Sequence, residues 1–397
     1  MRLHHRSLGF IILFGALSAL PPLSIDMGLP GFSGLAKSLQ VPIAEAALTL
    51  SFFLAGFSFA QLIFGPIADA HGRRPVLLGG CILFTVSGFM CGFAHSMQSV
   101  LLWRFLQGAG ASVGGMIGMA MVRDLYEGNE ARQKLSAISM VNSIAPAIAP
   151  TIGGLILLIG TWRTIYHALG LCGLILTLAV LMGIDETLKQ HFKRSLHWRE
   201  IASGYQRVIT NRHCVSYSLI SCFAFGSLFA YVSGSSVVLM TQLGVSTTMF
   251  GLLFAMTAVG IMMGSLLNAN LNRAGFNPHH LLIMSLTLAF ASAIAVFILS
   301  FTHYFQLIIV MPFLILGTFS YGLIAPNANY AALHTLPEVA GMASAFLGFL
   351  RIIGGIIASA MIALFYGHHA IAMTSIMVMF SSLAFLTYIF VSPREKI

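Results

Sequence analysis

The sequence predicts an all-α polytopic membrane protein, with twelve transmembrane helices arranged as two pseudo-symmetric six-helix bundles. Three observations carry this. Of the 397 residues, 58% are hydrophobic and 8% charged, whereas a soluble domain carries about a quarter charged residues. Apolar windows of roughly 20 residues recur along the chain, the length a helix needs to cross hydrocarbon with every backbone amide satisfied internally. One long polar stretch, 185–212, divides those windows six and six.

The first window, 8–28, outruns a signal-peptide apolar region, and no clear small-residue cleavage site follows it, so it reads as a span. The remaining windows of the first half fall near 46–68, 76–94, 98–121, 135–159 and 162–184. Those of the second half fall near 213–236, 247–268, 279–301, 304–326, 340–366 and 370–391. The expected organisation is a six-helix bundle over 1–185, a basic connector over 186–212 and a second bundle over 213–397. The connector reads either as a surface helix against anionic headgroups or as a solvated link. Gly65, Asp69 and Arg74 after span two reappear at a constant offset as Gly264, Asn268 and Arg273 after span eight, an internal repeat of a kind known among transporters built from two six-helix halves.

Basic loops are retained in the cytoplasm. With the amino terminus inside, only Lys37 and Arg163 fall outside, while Arg104 and Arg351 lie within spans. Both termini are therefore expected in the cytoplasm. The net charge of +9 follows from that asymmetry rather than from a nucleic-acid surface, since no polar basic domain is present. The five cysteines lie in or beside apolar runs without paired metal-ligand spacing and read as core thiols. The fourteen histidines are scattered, and no metal site is expected. The phosphate-binding G-x-x-x-x-G-K-[ST] pattern of an ATP-driven pump has no counterpart, since no Gly-Lys pair occurs. No paired nucleophile and base stands out for a membrane enzyme.

Four segments carry sharper signals. The segment after span two reads GPIADAHGRRP, where Gly65 and Gly72 permit a sharp turn and Asp69, Arg73 and Arg74 place charges at the membrane surface. Span four contains RFLQGAGAS, with Arg104, Gln107, Gly108 and Gly110. A lone cation there costs about 2.5–3.5 kcal/mol on insertion scales, so Arg104 either faces a partner or watery cavity or snorkels to headgroups. Span one holds a single acid, Asp26, at a depth that permits pairing with Arg104. At an effective dielectric of about 20, two charges 4 Å apart attract by roughly 4 kcal/mol, which desolvation opposes. That opposition leaves Asp26 either a titrating proton carrier or a static structural charge. Span five carries NSIAPAIAPTIGGLI, in which Pro146 and Pro150 bend the helix and Gly153 and Gly154 allow close packing.

These segments together resemble the major facilitator superfamily, and within it the bicyclomycin-resistance (Bcr/CflA) group of drug:proton antiporters. The sharp motifs all lie in the first half. Ala70 stands where the superfamily often has Arg, and Ala149 where the span-five motif usually has Gly. The resemblance implies a cytoplasmic latch in which Asp69 meets span eleven and Arg73 pairs with Asp124, proton coupling through the span-four motif, and antiport through the span-five motif. The expected function is export of small molecules by rocking of two halves, with the proton as coupling ion and no cofactor, ATP or nucleic acid. An importer or symporter, or an exporter of one metabolite such as a siderophore, is the alternative. A monomer among membrane lipids is expected, in a bacterial inner membrane. Arg351 in span eleven is a second intramembrane cation; it either meets substrate or bonds carbonyls and water. Two arginines against one acid favour neutral, zwitterionic or weakly anionic substrates. Asn142, Tyr231, Tyr321 and Asn327 are the polar side chains expected along a substrate cavity.

Overall fold

The computed structural model describes residues 8–126, 128–188, 198–336, 339–365 and 369–391. It divides into two compact units, Met1–Leu196 and His197–Ile397, so the division falls inside the predicted connector; positions 189–197 of that connector lie outside the described residues. Twelve helices among the described residues are long and apolar enough to cross a membrane.

The first unit contains α1 (Leu8–Asp26), α2 (Phe32–Leu39), α3 (Ile43–His71), α4 (Arg73–Phe93), α5 (Met97–Leu125), α6 (Gly128–Ile159) and α7 (Trp162–Gly183). The first span is broken. α1 stops at Asp26, a short 3-10 turn covers Leu29–Gly31, and α2 carries the span to Leu39. Pro30 removes a backbone donor just beyond the break. Gly31 packs on Trp162 and Ile165 of α7 where a larger residue would not fit as closely.

The second unit contains α8 (Trp198–Thr210), α9 (Arg212–Ser236), α10 (Thr247–Arg273), α11 (Pro278–Leu299), α12 (Leu307–His334), α13 (Ala340–Leu364) and α14 (His369–Leu386). π-helical turns extend α9 over Val237–Gln242 and α14 over Thr387–Val391. α8, which makes up most of the described part of the connector, is a surface helix with exposed Gln206 and Arg207. Its buried face carries Gly204 and Val208, four residues apart, against Met342 and Ala343 of α13.

The repeat expected from three residues is written into the packing. In the first unit α1 packs on α5, α6 and α7, α3 on α5, and α4 on α5 and α7. In the second unit α9 packs on α12, α13 and α14, α10 on α12, and α11 on α12 and α14. The two lists correspond helix for helix. Apolar burial gives no net drive between helices already in lipid, so small residues that let backbones approach take its place. An added Cβ on Gly56 would overlap the Phe105 carbonyl, and one on Gly108 the Phe53 carbonyl. A glycine pair between α10 and α12 in the second unit makes contacts of the same kind, Gly264 against the Phe319 carbonyl and Gly322 against that of Ile261. Four of the five cysteines are buried, as core thiols should be; Cys172 on α7 is exposed, which corrects the reading for that residue.

Candidate functional site

Arg104 is 1% exposed, which excludes snorkelling to headgroups. Its position on α5 is held by small neighbours. Gly108 meets α3, Gly110 meets the Gly80 and Phe84 backbone of α4, and Gly114 meets the Leu17 carbonyl of α1. With three helices this close, the guanidinium has only interior partners. Nη1 donates to Gln107 Oε1 at 2.8 Å and Nε to the Thr49 carbonyl at 3.3 Å. The cation also lies 4.4 Å from the Phe53 ring centre and 5.5 Å from that of Tyr166, distances at which an aromatic face attracts a cation.

Asp26 is 5% exposed and sits in the last turn of α1, where the first span breaks. The expected pair with Arg104 is not formed, and among the described residues no ion pair reaches either side chain. The reason is geometric, because Gln107, the Thr49 carbonyl and two rings already surround the cation. Tyr166 bridges the region. It lies under the Arg104 guanidinium, and its hydroxyl is 3.8 Å from where a Cβ on Gly28 would stand. The peptide after Asp26 is pinned from the other side, since the Met27 carbonyl lies where a Cβ on Gly153 would have to be. The span-five motif thus acts on the break in span one. Gly154 is buried, and Pro146 and Pro150 lie inside α6.

The segment 65–75 also differs from expectation. Gly65 and Pro66 are inside α3, and an added Cβ at Gly65 would make only an ordinary 3.6 Å contact with Met116. The turn is Gly72 alone, at φ +115°, a region open to glycine and few other residues. A Cβ there would also overlap the Glu186 carboxylate. That carboxylate accepts the backbone N–H of Arg73 at 2.9 Å and of Arg74 at 3.1 Å, the first two residues of α4. It caps the positive end of a helix from more than a hundred positions away in the chain. Arg73 pairs with Asp69 one turn back and with Asp124 at the end of α5, Nε to Oδ2 3.3 Å. Thr187 Oγ1 donates to the same Asp124 oxygen at 3.1 Å. Arg74 turns the other way and donates to the Leu181 carbonyl in the last turn of α7 at 2.9 Å. Asp69 is exposed enough that its ion pair adds little stability; what the cluster does is join the ends of α3, α4, α5 and α7. Replacing Glu186 by Gln is expected to cost about 0.5–1 kcal/mol, and Gly72→Ala about 1–3 kcal/mol. Thermal melting in detergent reads both, and equal melting of Gly72→Ala and native protein would contradict the turn assignment.

The expected cavity residues separate. Asn142 is exposed on α6 in the first unit. In the second unit Tyr231 and Tyr321 both line a small cavity of about 30 Å³, with Ser227, Ser292, Thr318 and Ser381 among its walls. The Tyr231 hydroxyl is 3.1 Å from Thr257 Oγ1. Tyr321 stands beside Arg351, whose guanidinium is 5.7 Å from the Phe225 ring centre and whose Nε is buried without a hydrogen-bond partner. Asn327 is tied down instead. Its Nδ2 donates to Asn268 Oδ1 at 2.7 Å and to the Leu323 carbonyl at 3.0 Å. Asn268 is the repeat counterpart of Asp69, so the second unit carries a neutral amide pair where the first carries charges. Asn327→Leu is expected to lower stability by about 1 kcal/mol without changing transport; an unchanged melting temperature would show that the amide pair adds nothing.

Glu186, Tyr166, Thr49 and Phe53 were not singled out by the sequence. An acid just past the end of span six was the only available signal for Glu186, and nothing local marks the other three.

Comparison with known proteins agrees with this architecture. Residues 7–359 match the model of the Major Facilitator Superfamily. The chain is 32% identical over 359 residues to an uncharacterized MFS-type transporter, YdgK, of Bacillus subtilis, covering 90% of this chain and 89% of that protein. It is 30% identical over 390 residues to a bicyclomycin resistance protein homolog of Haemophilus influenzae, covering 97% and 96%. It is also 30% identical to the multidrug resistance protein MdtL of Escherichia coli, over 87% of this chain and 86% of that one. Among solved structures, a D-xylose-proton symporter superposes with a TM-score of 0.74 at 16% identity, covering 98% of this chain and 99% of that one. A bacterial homolog of the lysosomal transporter Spinster gives a TM-score of 0.75, also at 16% identity, over 96% of each chain. Twelve spans, a six-helix packing pattern used twice and a family match over most of the length lead to one assignment: the chain belongs to the major facilitator superfamily.

Proposed function

We propose that the protein is a proton-coupled exporter of small molecules, in which Asp26 carries the proton. The observation that supports this reading is a buried acid at the broken end of the first span that forms no ion pair among the described residues, the intramembrane Arg104 being engaged by other groups. A carboxyl without a cationic partner changes its charge when its access to water changes, and alternating access changes that access in every cycle. Arg104 positions rather than neutralises. It holds Gln107 by a hydrogen bond and lies over the Tyr166 ring. Protonation and cargo then compete for one conformational cycle, driven by rocking of the two halves, and the Asp69, Arg73, Asp124 and Glu186 cluster acts as the latch on the cytoplasmic side.

Export is favoured over import by the relatives named for multidrug and bicyclomycin resistance, and the basic loops favour a cytoplasmic membrane with both termini inside. Cargo is neutral, zwitterionic or weakly anionic, because Arg351 offers the half-buried cation with an unfilled bonding direction. The test is a proteoliposome screen with an imposed pH gradient. Cargo-evoked proton movement in the opposite direction is expected. Solute flux indifferent to the gradient makes the protein a facilitator, flux parallel to protons makes it a symporter, and a screen dominated by dications removes the cargo assignment.

A further inference from the structure

We propose that one end of the second unit holds a site for a phosphate-bearing anion, formed by His213, His279 and His334. These residues come from the first turns of α9 and α11 and the last turn of α12. Together with Tyr217, Asn327 and Tyr330 they line a cavity of about 180 Å³, room for several waters or one hydrated polyatomic anion. The rings are held in place. The Tyr217 hydroxyl is 3.5 Å from His279 Nδ1, and the Tyr330 and His334 ring centres are 5.7 Å apart.

The charge pattern decides what such a cavity takes. No Asp or Glu occurs between Glu200 and Glu338, so α9, α11 and α12 bring no carboxylate to it. The N-terminal ends of α9 and α11 bring two positive helix poles, against the one negative pole at the C-terminal end of α12. The titratable and charged groups on the surrounding elements are His213, Tyr217 and Arg212 of α9, His279 and His280 of α11, Tyr330 and His334 of α12, Arg273 at the end of α10, and Tyr388, whose hydroxyl donates to the His279 carbonyl. None of these is an acid that could carry negative charge near neutral pH. A metal ion does not fit, because among the described residues no three His, Cys, Asp or Glu side chains converge on one point. Phosphate offers several acceptor oxygens to donors spread round a cavity. It is available here from two sources, the headgroup of an anionic phospholipid and a soluble phosphate.

Titration calorimetry of the full chain in neutral detergent tests this with two probes, inorganic phosphate and short-chain phosphatidylglycerol. At least one probe is expected to bind at about pH 6, because the cavity offers imidazole and phenol groups and two helix N-termini with no carboxylate among its lining residues. A chain carrying His213→Gln, His279→Gln and His334→Gln together should lose that binding, whereas His303→Gln, in the exposed loop after α11, should keep it. Should the triple variant fail to fold, His334→Gln alone, an exposed position, carries the expectation of roughly tenfold weaker binding. Binding of phosphatidylglycerol alone identifies a lipid site, and binding of both probes a soluble anion. Absence of binding by either probe at about pH 6, or undiminished binding by the histidine variants, overturns the proposal.

Discussion

Replacing Asp26 by Asn is expected to abolish uphill export while leaving cargo exchange intact. One pH unit supplies about 1.4 kcal/mol and 100 mV about 2.3 kcal/mol, so one proton entering per neutral molecule leaving sustains roughly a 500-fold gradient. Asn preserves size and hydrogen bonding at a buried position but cannot carry a proton. In sealed vesicles with both gradients imposed, accumulation should therefore fall from that range to equilibrium. Exchange of labelled for unlabelled cargo at zero gradient should persist, which separates a coupling defect from a folding defect. Asp26→Glu keeps a titratable group one methylene longer and should retain part of the gradient. Uphill, pH-dependent export by Asp26→Asn would move proton carriage to another group and leave Asp26 as a structural acid.

The largest structural effect is expected at the α3–α5 contact. Gly108→Val adds a branched side chain where a single Cβ already overlaps the Phe53 carbonyl and approaches the Phe57 amide, and Gly56 on the facing helix has the same relation to Phe105. Backbone cannot swing aside as a side chain can, so relief requires the helices to separate. The cost is about 3 kcal/mol or more, at the upper end of overpacking. It should appear as a large drop in melting temperature and in folded yield. Separation would also free Arg104, which holds the Thr49 carbonyl across this same contact, so transport should fail in whatever protein folds. The control is Gly79→Ala, where an added Cβ meets nothing within 4 Å and helix propensity alone predicts a gain of up to about 1 kcal/mol. Equal melting of Gly108→Val and native protein would show that this contact does not set the fold.

Much of this was legible from the amino acids. The twelve spans follow from one constraint, internal satisfaction of the backbone in lipid, and the observed helices overlap every predicted window. The residues of the 65–75 segment were recognisable because Gly65, Asp69, Gly72, Arg73 and Arg74 stand in that order between two spans. Its shape was not. Gly65 reads as a turn residue but lies inside α3, since the helix simply continues to His71, and a turn needs only Gly72. Glu186 reads as connector yet caps α4. Its sequence neighbours are polar, and nothing local announces a partner in another helix.

By itself, then, the sequence determined which segments enter lipid, where the chain divides in two and which ionisable groups are placed inside, because solvation is a property of each segment alone. Tertiary structure decided which groups meet. It gave Arg104 to Gln107 and two aromatic rings instead of Asp26, tied Asn327 to Asn268, and gathered three histidines around one cavity. Partners are chosen by how closely helices approach, and that approach depends on glycines in one helix facing carbonyls of another, a relation between distant segments that no single segment contains.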